Sequence, residues 1–151
     1  MNSFVIREAI DADHKFIVDF QLRMADETEN VKLDKETVIK GVSEILKNSW
    51  RGYYLVAEND TQPVGVMLVL SEWSDWRNGE VLWIHSLYVV SGYRKQGVFK
   101  SFYRHLQEKV EANDQYRGIR LYVDKTNITA QKTYSAIGMS NEHYDLFEWM
   151  K

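Results

Sequence analysis

The feature that most constrains this chain is a change of hydrophobic period between residues 81 and 110. Val81-Leu82-Trp83-Ile84-His85-Ser86-Leu87-Tyr88-Val89-Val90 is a mostly apolar run, rich in the β-branched and aromatic residues that suit a buried strand. A short basic stretch follows, Tyr93-Arg94-Lys95-Gln96-Gly97-Val98-Phe99-Lys100-Ser101-Phe102. Beyond it an amphipathic pattern runs through Leu106 and Val110. A strand therefore feeds a turn, and the turn opens a helix. The first turn of a helix leaves backbone N–H groups unpaired and carries the positive end of the dipole. With Arg94, Lys95 and Lys100 beside them, those groups form an anion site suited to phosphate or pyrophosphate. Gly97 has no Cβ, so a ligand can approach the main chain there.

The rest of the chain alternates in type. Phe4 to Ala9 reads as a strand, and Asp11 is placed to cap a helix carrying Phe16, Ile17, Phe20 and Met24. The acidic stretch Asp26-Glu27-Thr28-Glu29-Asn30 breaks that pattern and reads as a loop between two helices. Asp34 can cap the second, whose apolar face is Val38, Ile39, Val42, Ile45 and Leu46. Tyr53 to Glu58 and Val64 to Leu70 form a hairpin about the turn residues Asn59 to Gln62. Ser71 to Glu80 connects to the apolar run, with Asn78-Gly79 as its turn signal. Trp73 and Trp76 in that connection pin a loop, line a pocket or face a second copy. After the motif helix come a strand at Ile119 to Val123, a helix begun by Asn127 and ended by Gly138, and a closing strand from His143 to Met150. The order β-α-α-β-β-β-α-β-α-β predicts a mixed α/β (α+β) fold. One twisted sheet of about six or seven strands is flanked by about four helices, in a single domain spanning residues 1–151.

The motifs resemble those of a known family. Arg94-x-x-Gly97-x-Phe99 resembles the Arg/Gln-x-x-Gly-x-Gly/Ala signature of the GNAT superfamily of N-acetyltransferases. Asn127-x-x-Ala130-x-x-x-Tyr134-x-x-x-Gly138-Met139 is similar to its second signature, and Ile84 to Val89 resembles its thioester-facing strand. One residue departs from the pattern: Phe99 stands where the family has Gly or Ala, so the turn must accommodate a large ring.

The resemblance implies a GNAT-like fold and acetyl-CoA as co-substrate. Its pyrophosphate would lie on the turn of Arg94, Lys95, Gln96, Gly97, Val98, Phe99, Lys100 and Ser101. Leu87, Tyr88 and Val89 would meet the pantetheine arm and the thioester, and Asn127, Ala130 and Tyr134 would complete the cofactor site. Tyr134 is the candidate general acid; its other reading is a core tyrosine. A phenol, with an ordinary pKa of about 10, stays protonated at neutral pH and can still protonate a departing thiolate. His85 is the candidate base, at a position where the family often has Glu or Asp; its other reading is structural. Ser86, Glu27, Glu29 and Asp75 are further polar candidates for that role. Glu27, Glu29 and Asp75 also suit binding of a cationic amine, against a reading as solvated loop charges.

Composition narrows the remaining classes. With 19 Lys and Arg against 22 Asp and Glu, the net charge of −3 argues against nucleic-acid backbones as partners. The absence of cysteine excludes disulfides, thiolate metal sites and an acetyl-cysteine intermediate. No run reaches membrane-spanning length and the first residues lack a signal-peptide pattern, so the cytoplasm is expected. Neither a Gly-x-Gly-x-x-Gly nor a Gly-Lys-Ser/Thr phosphate loop is present. The expectation is an N-acetyltransferase acting on a small-molecule primary amine by direct transfer in a ternary complex, with a homodimer as the possible assembly. The alternative is a catalytically weak or inactive acetyl-CoA-binding regulatory module.

Overall fold

The computed structural model describes residues 3–151. The chain divides into two compact units, with the boundary between Leu121 and Tyr122.

The first unit holds one five-stranded sheet. Strands β1 (Val5–Glu8), β2 (Tyr53–Asn59), β3 (Gln62–Ser74), β4 (Gly79–Val89) and β5 (Tyr116–Leu121) lie side by side in chain order. The first three pairings are antiparallel and β4 with β5 is parallel. A parallel neighbour needs a crossover, which is supplied by helix α3 (Val98–Glu111). Helices α1 (His14–Glu29) and α2 (Lys35–Lys47) come between β1 and β2.

Each face of the sheet buries its own apolar cluster. Val98, Phe102 and Leu106 of α3 pack with Leu55, Met67, Val69, Leu82 and Ile84. On the opposite face Ile17, Val18 and Phe20 of α1 and Val42 of α2 pack with Tyr54, Val66, Leu68 and Tyr88. Burial drives the phenol of Tyr54 up to about 12.

Several boundaries differ from the sequence expectation. Residues 26–29 are not a loop: α1 runs through them and stops at Asn30, in the left-handed region at φ 52°. Acidic residues tolerate helix well enough, and the Thr28 hydroxyl donates back to the Met24 carbonyl at 2.6 Å. Asp11 opens a short 3-10 turn, and it is Asp13 that accepts the Ile10 N–H, at 2.8 Å. Asp34 caps α2 as expected, accepting the Thr37 N–H at 2.9 Å. Strand β3 continues to Ser74, so only Asp75 to Asn78 connect it to β4.

The second unit holds helix α4 (Ile128–Ala136), capped by the Asn127 side chain and followed by Gly138 at φ 92°. The expected closing strand from His143 to Met150 is not formed; residues 142–151 carry no regular ladder. High β propensity alone does not make a strand, which exists only through a partner's hydrogen bonds. The described sheet therefore has five strands rather than six or seven.

Candidate functional site

Strand β4 is zipped to β5 for only half its length. The pairing runs from Glu80 with Tyr116 to Ile84 with Leu121. Against β3 the register jumps at the same place: Val69 faces Ile84, Leu68 faces Ser86, and His85 is the extra residue of a β-bulge. The side chains record the slip. Leu82 and Ile84 point to the α3 face before it, Leu87 and Val89 after it. A regular strand could not place both pairs on one face, because its period is two.

Past the bulge, alternation fixes where the backbone points. The Val90 N–H donates to Val64 of β3 at 2.9 Å, so Tyr88 also faces β3. Leu87 and Val89 then direct their N–H and C=O groups away from β3, beyond the end of the β5 ladder. His85 is exposed at the bulge. Its neighbour Ser86 holds a buried hydroxyl that has no hydrogen-bond partner among the described residues.

The turn after β4 leads through a 3-10 turn at Ser91–Tyr93 into α3. Lys95 and Gly97 both have positive φ, 63° and 90°. A Cβ built on Gly97 would meet nothing within 4 Å, so the entry to α3 is open on that side. The first helical bond is Ser101 N–H to the Gly97 carbonyl at 3.0 Å, which puts Val98, Phe99 and Lys100 in the first turn of the helix, at the positive end of its dipole. Ser101 is already occupied, since its hydroxyl also donates to Gly97, at 3.1 Å. Phe99 packs half-buried on the α3-side core and stacks on Tyr103, with ring centroids 6.0 Å apart. Gly65 of β3 lets this helix start sit close to the sheet. A Cβ there would lie 3.1 Å from the Tyr88 carbonyl and 3.2 Å from Val98.

The structure brings Glu27, Tyr88, Val89 and Arg94 together. Arg94 Nε donates to the Val89 carbonyl at 2.8 Å, Arg94 Nη2 ion-pairs with Glu27 Oε2, and the guanidinium lies 5.5 Å from the centre of the Tyr88 ring. The Tyr88 hydroxyl donates to Glu27 Oε1 at 3.0 Å. Arg94 and Tyr88 together hold the Glu27 carboxyl below its ordinary value. Burial, and then Glu27, push the Tyr88 phenol up. Glu29 sits exposed at the end of α1. Asp75 lies at the far end of β4, about 33 Å of strand from Val89 at roughly 3.3 Å per residue. Its carboxylate accepts the Trp76 N–H at 3.0 Å. Trp73 and Trp76 are exposed.

In the second unit Asn127 Oδ1 accepts the Ala130 N–H at 3.1 Å, and Gln131 donates to the carbonyls of Asp124 and Lys125. Tyr134 lies one turn beyond Ala130 and is half-buried, and burial pushes its phenol up. Among the described residues no group of His, Asp and Glu side chains is arranged to hold a metal, and no helix is long and apolar enough to cross a membrane.

Sequence reasoning missed the Glu27–Arg94 clamp, because 67 positions separate its members and neither charge is unusual where it stands. It also missed the bulge. The slip from Leu82 and Ile84 to Leu87 and Val89 was its one signal, obscured by Trp83 and Tyr88.

The parallel pair of β4 and β5 thus splits at the carboxyl end of β4, and β4 runs on into a glycine-bearing helix start. The acetyltransferase (GNAT) family model matches residues 18–139, and the chain belongs to that family. A possible acetyltransferase from Clostridium difficile 630 is 36% identical, with 98% of this chain and 97% of that one covered and a TM-score of 0.91. Two other solved structures share the fold at lower identity. An aminoglycoside N-acetyltransferase in complex with CoA is 15% identical, with 100% and 97% covered and a TM-score of 0.79. A ribosomal-protein-alanine N-acetyltransferase from Brucella melitensis biovar Abortus 2308 is 14% identical, with 98% and 100% covered and a TM-score of 0.78. No curated protein matches the chain.

Proposed function

We propose that the whole chain, residues 1–151, acts as one acetyl-CoA-dependent N-acetyltransferase domain in the cytoplasm, with a small cationic primary amine as acceptor. The observation that carries this reading is the open half of β4 running directly into the unobstructed start of α3. The pyrophosphate is assigned to the N–H groups of Val98, Phe99 and Lys100, with Lys95 and Lys100 supplying charge. The outward N–H groups of Leu87 and Val89 are assigned to the pantetheine arm and the thioester oxygen.

In the reaction the amine nitrogen forms a bond to the acetyl carbon and the carbon–sulfur bond breaks. The amine loses one proton, for which His85 is the assigned base, directly or through water. The departing thiolate gains one, for which Tyr134 is the assigned donor. Burial pushes the phenol up, so it is in its protonated form at neutral pH. Glu27 and Glu29 at the end of α1 are assigned to the cationic acceptor. One observation favours the alternative of a silent acetyl-CoA-binding module: Glu27 is already held by Arg94 and Tyr88.

Two measurements test the reading. Acetyl-CoA titrated into the protein in a calorimeter should bind, and Gly97→Asp should abolish binding while the protein stays folded. Tight binding by folded Gly97→Asp would remove the turn as the site. Once an amine panel assayed by thiol release yields an acceptor, Tyr134→Phe should lower turnover by about 10²–10⁴-fold with cofactor affinity little changed. Full activity in that variant would take Tyr134 out of the chemistry.

A further inference from the structure

A cleft of about 460 Å³ lies between the first strand and α3. Strands β1 and β5 are opposite edges of the sheet, so the cleft is on the flank of α3 away from β5. One wall is apolar and comes from Phe4, just before β1, and Ile6 within it. Both are half-buried against the α3-side core. Phe4 is fixed by an edge-to-face contact with Tyr93, ring centroids 6.4 Å apart, and Ile6 by its register with Ala57. The other wall is polar. Ser101, Arg104, His105 and Glu108 stand three and four residues apart, so they share one side of the helix.

This polar wall has no protein partner. Among the described residues the side chains of Arg104, His105 and Glu108 make no hydrogen bond or ion pair, whereas Arg7, Arg23, Arg51, Arg94 and Arg120 each hold a carboxylate. Arg104 and Glu108 are one turn apart but do not pair, and their order along the helix is the less favourable one. Arg104 and Glu108 reach solvent, and His105 is half-buried between them in sequence.

We infer that this cleft binds a small amphiphilic zwitterion, of the class of a free α-amino acid with an apolar side chain. The Arg104 fork suits a carboxylate, which it can grip with two parallel bonds. Glu108, one turn on, accepts from an ammonium group. The wall of Phe4 and Ile6 takes the side chain, and the volume falls in the range of small-molecule sites. A bare anion would have to face Glu108, and a bare amine would have to face Arg104, so the pair of charges selects a ligand carrying both. The inference concerns binding alone and does not depend on the acetyl-transfer reading.

The test is a titration of the labelled full chain with L-phenylalanine, followed by heteronuclear NMR. Amides of β1 and of the Ser101 to Glu108 stripe should shift saturably. Arg104→Gln and Glu108→Gln, which change exposed side chains and whose folding the same spectra check, should each weaken binding about tenfold or more. Phenylethylamine and 3-phenylpropionate, each lacking one of the two charges, should bind more weakly by a similar factor. No saturable shift with L-phenylalanine or L-leucine up to about 10 mM would overturn the proposal. Shifts confined to residues outside β1 and α3 would do so too, by placing the amino acid in another site. Undiminished binding by folded Arg104→Gln, or equal binding of 3-phenylpropionate, would reject recognition of a zwitterion.

Discussion

Of the five arginines in the first unit that pair with carboxylates among the described residues, Arg7 and Arg94 do so in contrasting surroundings. Arg7 on β1 reaches both oxygens of Asp13, at 2.7 and 3.0 Å, and Glu58 on β2 at 2.8 Å. Arg94 reaches one carboxylate, Glu27, and the Val89 carbonyl. The Asp13 side chain is only 7% exposed, whereas Glu27 is 38% and Arg94 44% exposed. Burial opposes ionisation of Asp13, yet the bonds from Arg7 and the Ile10 N–H outweigh it and leave the carboxyl below its ordinary value. The chemistry is shared, and solvent access divides the roles. A saturated, dry pair fastens β1 to the start of α1. A wet, monodentate pair beside the turn into α3 contributes little to stability.

The strongest way to break the contrast is to cut the dry pair. Asp13→Ala should cost about 2–3 kcal/mol of unfolding free energy, because it leaves part of a half-buried guanidinium uncompensated. Denaturant titration reads the loss, and acetyl-CoA affinity should not change. Acid should reproduce the effect reversibly. The folded pKa of Asp13 lies below its unfolded value, so its contribution is complete above the unfolded value and is lost as pH falls through the folded one. Relative to Asp13→Ala, the wild type should therefore lose its advantage only in strong acid. Glu27→Gln should act the other way round. Its melting temperature should stay near that of the wild type, while acetyl-CoA affinity, measured by calorimetry, rises severalfold as Arg94 is released to the pyrophosphate. A fall in affinity would show that Glu27 positions Arg94 rather than competing for it. The smallest expected effect is that of added salt on wild-type stability, since salt screens only the exposed pairs, Glu27 with Arg94 among them, and each of these contributes little.

Much of this was legible locally. The strand, turn and helix from Val81 to Val110 could be read because the period changes within one continuous stretch and Gly97 marks the change. Asp34 and Asn127 announced their helices because capping acts over three residues. What depended on partners distant in the chain was hidden. The pairing of Glu27 with Arg94, the early end of the β5 ladder and the ladder-free segment after Ser140 are each decided by another part of the fold. The acidic run at residues 26–29 misled because solvated charges suit an exposed helix end as well as a loop. The imidazole of His85 drew attention in the sequence, but in the fold it is the backbone of His85, as the extra residue of the bulge, that shapes β4.

That single extra residue acts on the strand as a frame shift acts on a message. Everything after it is read one position out of step with everything before it. Substituting His85 should leave the step intact. Deleting it should restore a regular alternation, sending Tyr88 toward α3 and Leu87 toward α1, and the peptide groups that now face outward would turn toward β3. The strand would still form, with the half that has no ladder to β5 turned over.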